Sequence, residues 1–217
     1  NSETISKIHI PEIARDIIEQ VSFEARESEL VDKKSGVSAR MSITSLQNLV
    51  SSAERRMLIN KEEITSIRMS DFNSVISSIN GKVELVYEGE EEGAEQVSYN
   101  LISDAVKTLF TKYFPKIEKL TKPDEISVYD SILEWFTVNQ VILRDDLSNK
   151  DYESILNKVK DADSLLNKFM PDIDKKDKLF FIEFLLWGLE SFKKLTIMRT
   201  NNGVEFKDPF NNFINKI

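Results

Sequence analysis

Apolar residues recur at three- and four-residue intervals through most of this chain, a period that fits one face of an α-helix and not the two-residue alternation of a half-buried strand. Ile13, Ile17 and Val21, with Ile18 and Ala25 beside them, predict a first helix that opens in His9-Ile10-Pro11-Glu12 and runs to about residue 30. Its proline sits where a missing N–H costs nothing. Ile43, Leu46, Val50, Ala53 and Met57, with Leu49 alongside, predict a second helix closing in Glu54-Arg55-Arg56, cations that suit a helix C-terminus. A third carries Phe72, Val75, Ile76 and Ile79 behind a Ser70-Asp71 cap and stops at Asn80-Gly81. Six glycines and five prolines in 217 residues are too few for the tight turns of a sheet-rich fold. The fold class expected is therefore all-α.

Lys82-Val83-Glu84-Leu85-Val86-Tyr87 alternates like a strand but has no evident partner, so at most one short extended segment is expected, near residues 82–87. Glu88-Gly89-Glu90-Glu91-Glu92-Gly93 reads as a solvated acidic loop before a helix from about Ala94 to Phe114, ended by Pro115. The charged stretch 116–123, closing in proline, is the natural joint between two helical units, residues 1–115 and 124–217. In the second unit, helices are expected from Asp124-Glu125 through Phe136, behind Ser148 or Asn149, and from Ser164 to Met170. A long apolar helix from about Asp174 to Ile197 forms its core, and a short docking helix carries Phe210, Phe213, Ile214 and Ile217.

A net charge of −8 argues against a sequence-blind nucleic-acid binder, whose affinity comes from cations that neutralise phosphates. Without cysteine there is neither a disulfide nor a thiolate metal site, and a cytoplasmic setting is the natural expectation. The most apolar run, Leu179 to Leu189, is shorter than the roughly 20 residues that span a bilayer and carries Glu183, so no membrane partner is expected. It reads as a buried core helix, or else as a surface for a partner helix. His9, the only histidine, joins no common zinc set and no metal site is expected, while Trp135 and Trp187 read as core aromatics.

The segment Asp32-Lys33-Lys34-Ser35-Gly36-Val37-Ser38-Ala39-Arg40 carries the candidate chemistry. It delivers an arginine to the start of a helix, where the dipole disfavours a cation unless an anion is to be met, and where unpaired N–H groups also favour an anion. Lys33, Lys34 and Arg40 can then serve one phosphate-like group. The plainer reading is a surface arginine behind an ordinary Ser38 N-cap.

Taken in order, Ile10-Pro11-Glu12-Ile13-Ala14-Arg15, the turn Ser35-Gly36-Val37-Ser38-Ala39-Arg40, and Ile79-Asn80-Gly81-Lys82-Val83-Glu84-Leu85-Val86-Tyr87-Glu88-Gly89-Glu90 resemble the region C-terminal to the nucleotide-binding core of AAA+ ATPases of the magnesium-chelatase ATPase-subunit and MoxR-like group. The resemblance covers about residues 9–115. It implies a helical lid, with Arg40 as the second sensor reaching the γ-phosphate of ATP, and Lys33 and Lys34 as electrostatic support. It also implies ATP and Mg²⁺ as cofactors of a longer parent, a homo-oligomeric ring, and a protein client of unknown identity. The chain carries no Gly-x-x-x-x-Gly-Lys-[Ser/Thr] loop and no apolar strand ending in paired acids. It is therefore expected to be a lid and tail that works with a core in the same polypeptide, and to bind and hydrolyse no ATP alone. The alternative from another class is a free-standing helical protein–protein interaction module.

Overall fold

A computed structural model describes residues 6–34, 37–117, 127–200 and 202–210. The chain divides into two compact units, Asn1–Leu109 and Phe110–Ile217. The expected joint at 116–123 lies, from residue 118 onward, outside the described residues, as do the helix start at Asp124-Glu125 and residues 211–217 of the docking helix.

The first unit begins with β1 (Ile8–His9), which pairs in parallel with β2 (Thr65–Ser66) through Thr65 N–H to the Lys7 carbonyl and Ile67 N–H to that of His9, each 3.0 Å. Helix α1 (Glu12–Glu27) buries Ile13, Ile17, Ile18, Val21 and Ala25, the face read from spacing. Helix α2 (Ala39–Asn60) behaves differently. Its buried positions are Met41, Ser45, Leu49, Ala53, Arg56 and Met57, whereas Ile43 is 61% exposed. Leu49, Ala53 and Met57 turn inward as expected, but Ile43 does not, and the polar Ser45 and Arg56 join the buried face, positions that hydrophobic periodicity cannot select.

Arg56 can be buried there because a carboxylate meets it. Its guanidinium clasps Asp71 in a bidentate pair, Nη1–Oδ1 2.5 Å and Nη2–Oδ2 3.1 Å, with both side chains at most 3% exposed. Ser52 donates to the same carboxylate at 2.8 Å, and Arg56 Nη2 donates to the Ser66 carbonyl at 2.8 Å. Asp71 also accepts the Arg68 N–H at 2.8 Å, so it closes the start of a 3₁₀ helix (Met69–Val75) from inside rather than capping an α-helix. Helix α3 (Ile76–Asn80) continues it and stops at Gly81.

Of the stretch 82–87, Lys82 lies in a turn and Tyr87 begins a helix; Val86 is extended, and Leu85 is bridged by Val31 in antiparallel fashion. The acidic run is not a loop. It forms α4 (Tyr87–Glu92), whose Gly89 is buried so close to Leu30 that an added Cβ would lie 2.5 Å from that carbonyl oxygen. Helix α5 (Ala94–Tyr113) follows and crosses the boundary between the units.

The second unit contains α6 (Asp130–Phe136), β3 (Val141–Arg144), α7 (Asn149–Leu156), α8 (Ala162–Phe169), α9 (Lys178–Ser191), β4 (Thr196–Thr200) and β5 (Gly203–Lys207). Ser148 caps α7 by accepting the Asp151 N–H at 3.1 Å. The all-α expectation needs correction here: β3, β5 and β4 form a three-stranded antiparallel sheet in that order. The described residues are α-dominant, at 58% helix, but not purely helical. The apolar helix ends at Ser191, Lys193 takes a left-handed φ of 59°, and the stretch assigned to its last turn becomes β4. Thr196, Ile197 and Thr200 favour a strand once β5 is available to pair with them. At Gly203 an added Cβ would fall 2.1 Å from the Leu143 carbonyl oxygen, so glycine permits the close approach of β3.

Candidate functional site

Arg40 occupies the second position of α2 and is exposed. Ser38, extended at φ −66° and ψ 131°, is the N-cap: its Oγ accepts the Arg40 N–H at 3.2 Å, and its carbonyl accepts that of Met41 at 2.8 Å. Two of the backbone donors expected to await an anion are thus engaged, which leaves the capacity for an anion mainly in the guanidinium. The Arg40 carbonyl accepts from Thr44 Oγ1 at 2.7 Å, and the side chain forms no ion pair with a described acid.

Lys33 and Lys34 are exposed as well, in a turn closed by the Lys34 N–H donating to Asp32 Oδ1 at 2.8 Å. That turn is clipped to residues 84–86 by Asp32 N–H to the Glu84 carbonyl, 2.9 Å, and Val86 N–H to that of Leu30, 3.1 Å. Residues 35–36, between the lysines and the cap, lie outside the described residues. An open cleft of ≈ 370 Å³ at the start of α2 is lined by Val37, Ser38, Asn80, Gly81, Lys82, Val83 and Glu84. None of the three predicted cations lines it; Lys82 does. Sequence distance hid Lys82, and the usable signal was the unpartnered alternation of 82–87, whose partner proves to be the residue two before Lys33.

The remaining candidates are structural in their surroundings. His9 is half-buried in β1, and no group of three or more potential metal ligands occurs among the described residues. No helix among them is long and apolar enough to cross a membrane. Phe180 to Leu189 is at most 5% exposed at each apolar position, so it offers no face to a partner helix. Within it Glu183 is fully buried, receiving hydrogen bonds from Tyr152 OH at 2.6 Å and Trp187 Nε1 at 3.4 Å. Arg199 stands over the Trp187 ring, 5.7 Å from its centre. Trp187 is a core aromatic, and Trp135 is half-buried.

No family model, no curated protein and no solved structure matches this chain.

Proposed function

We propose that this chain is the C-terminal lid and helical extension of an AAA+ ATPase of the magnesium-chelatase and MoxR-like kind, with Arg40 as its sensor arginine. The observation that carries the reading is the cation itself: Arg40 stands exposed in the first turn of a 22-residue helix, opposed by the helix dipole and offset by no described carboxylate. An arginine so placed has more to gain from an incoming phosphate than from its own fold. Its planar fork suits phosphate oxygens, and charge aimed at a transferring phosphoryl group lowers the barrier to hydrolysis.

In this reading Arg40 would meet one phosphate group, with Lys33 and Lys34 adding positive charge to the field around it. Mg²⁺ and the remainder of ATP belong to the core of the parent, as do the neighbouring subunits of a ring. The lid role is then to couple the state of that phosphate to movement of the helices behind Arg40, and so to remodelling of a client.

The decisive experiment is kinetic. In a full-length protein containing this chain and a phosphate-binding loop, Arg40→Ala should reduce ATP turnover by about a hundredfold or more. Wild-type turnover in that variant would overturn the reading, as would ATP hydrolysis by the present chain alone that survives repeated purification.

A further inference from the structure

One side chain ties the two rims of the cleft together. Asn48 lies about 12 Å along α2 from Arg40, and its Nδ2 donates to Ser78 Oγ at 2.7 Å, the Ser74 carbonyl at 3.1 Å and Ser77 Oγ at 3.2 Å. An amide has two N–H hydrogens, so the acceptors share them and hold the group from several directions. Ser78 is 1% exposed, which makes a lost partner there costly to rehydrate. Two residues on, Asn80 Oδ1 accepts from Ser98 Oγ at 2.5 Å and fixes the same strip to α5. Lys82, on the cleft, is two residues further on. Sliding of α2 along α3 would break the Asn48 bonds.

We propose that Asn48 is a positioning residue for the Arg40 site: it sets the spacing between the helix start that presents Arg40 and the rim that presents Lys82, so that both travel as one piece. The functional meaning rests on the lid reading; the spacing itself needs no nucleotide to be measured.

Because the chain lacks cysteine, Ile43→Cys and Glu84→Cys, both at exposed positions, accept spin labels cleanly. Pulsed electron resonance should give one narrow distance distribution in the otherwise unchanged chain. Asn48→Ala and Asn48→Asp, the second keeping the shape while losing both donors, should each broaden or shift it while circular dichroism still reports a folded helical protein. Ser77→Ala combined with Ser78→Ala removes two acceptors instead and should do the same. An unchanged distribution in folded Asn48 variants overturns the proposal, and so does global unfolding in all three backgrounds, which would make Asn48 a folding residue. In the full-length ATPase, Asn48→Ala should lower kcat with little change in KM for ATP. A broadened spacing without that kinetic loss would count against the lid reading and leave the positioning role standing.

Discussion

In residues 1–109 the buried polar groups answer one another across elements: Arg56 and Ser52 of α2 meet Asp71, Asn48 meets three acceptors in the 3₁₀ helix and α3, and Ser22 meets Ser42 at 3.0 Å. In residues 110–217 buried polar bonding also occurs, at Glu183 with Tyr152 and Trp187, but most of the interior rests on aromatic packing. Phe110 lies 5.0 Å from Phe114, 6.0 Å from Tyr129, 6.1 Å from Phe184 and 5.7 Å from Phe192, centre to centre. Directional bonds fix one relative placement of helices, whereas apolar contacts tolerate small repacking. The first unit therefore holds a defined relative placement of its helices, with Ile43 of α2 left exposed. The second gains stability from bulk burial around α9.

The largest expected effect tests that contrast at Asp71. Asp71→Ala leaves the Arg56 guanidinium buried without its carboxylate, and removing one partner of such a pair costs about 3–5 kcal/mol. Urea unfolding should show that loss, with hydrogen exchange locating it in residues below 110. Replacing both partners by apolar residues of similar volume should recover most of it. If Asp71→Ala proves as mild as a surface change, the first unit is not latched by this pair and the comparison fails.

Next in size is Gly188→Ala in the second unit. The added Cβ would stand 2.0 Å from Phe110 Cδ2 and 2.3 Å from Cε2, so the ring must shift among the aromatic groups around it. Overpacking of this kind costs about 1–3 kcal/mol. A denaturation midpoint equal to that of the parent chain would show that the aromatic core repacks freely.

A smaller effect appears at high pH. Tyr129 OH donates to the Pro115 carbonyl at 2.5 Å, and burial raises the phenol pKa well above its ordinary value near 10. Between those two values the unfolded chain has lost the proton and the folded one keeps it, so the stabilisation is fully present below the ordinary value and declines as pH rises beyond it. Tyr129→Phe should cost about 1 kcal/mol at neutral pH through the lost hydrogen bond. It should also flatten the decline above pH ~10 relative to the parent chain. Parallel slopes in the two proteins would mean that this phenol does not titrate differently on folding.

What the chain discloses by itself follows the reach of local rules. Ser38 and Ser148 were readable as caps, Asn80-Gly81 as a stop, and the α1 face from spacing, because each depends on residues within one or two turns. The sheet was not: β3 has four residues, and β4 follows an apolar helix whose periodicity runs into it, so only pairing with β5 decides. Arg56 was read as a cation suited to a helix end because nothing nearby reveals Asp71, fifteen residues on. At the candidate site Arg40 and Ser38 were legible from dipole and capping. Lys82 and Asn48 were not, since a single bridge between Val31 and Leu85 and one carboxamide bring those parts together.

The smallest expected effect is the most discriminating between structure and function. Arg40 makes no described ion pair and opposes the dipole of α2, so Arg40→Ala should leave the stability of this chain unchanged or raise it by about 0.3 kcal/mol. Arg40→Glu places an anion in the same first turn and should raise it further, by up to about 1 kcal/mol at low salt, with the gain shrinking as salt screens it. A residue kept for the fold would behave in the opposite way, losing stability in both variants. Melting temperature at two ionic strengths reads the order directly. If glutamate is the worst of the three residues at this position, local structure needs the cation, and the case for an awaited phosphate loses its physical basis.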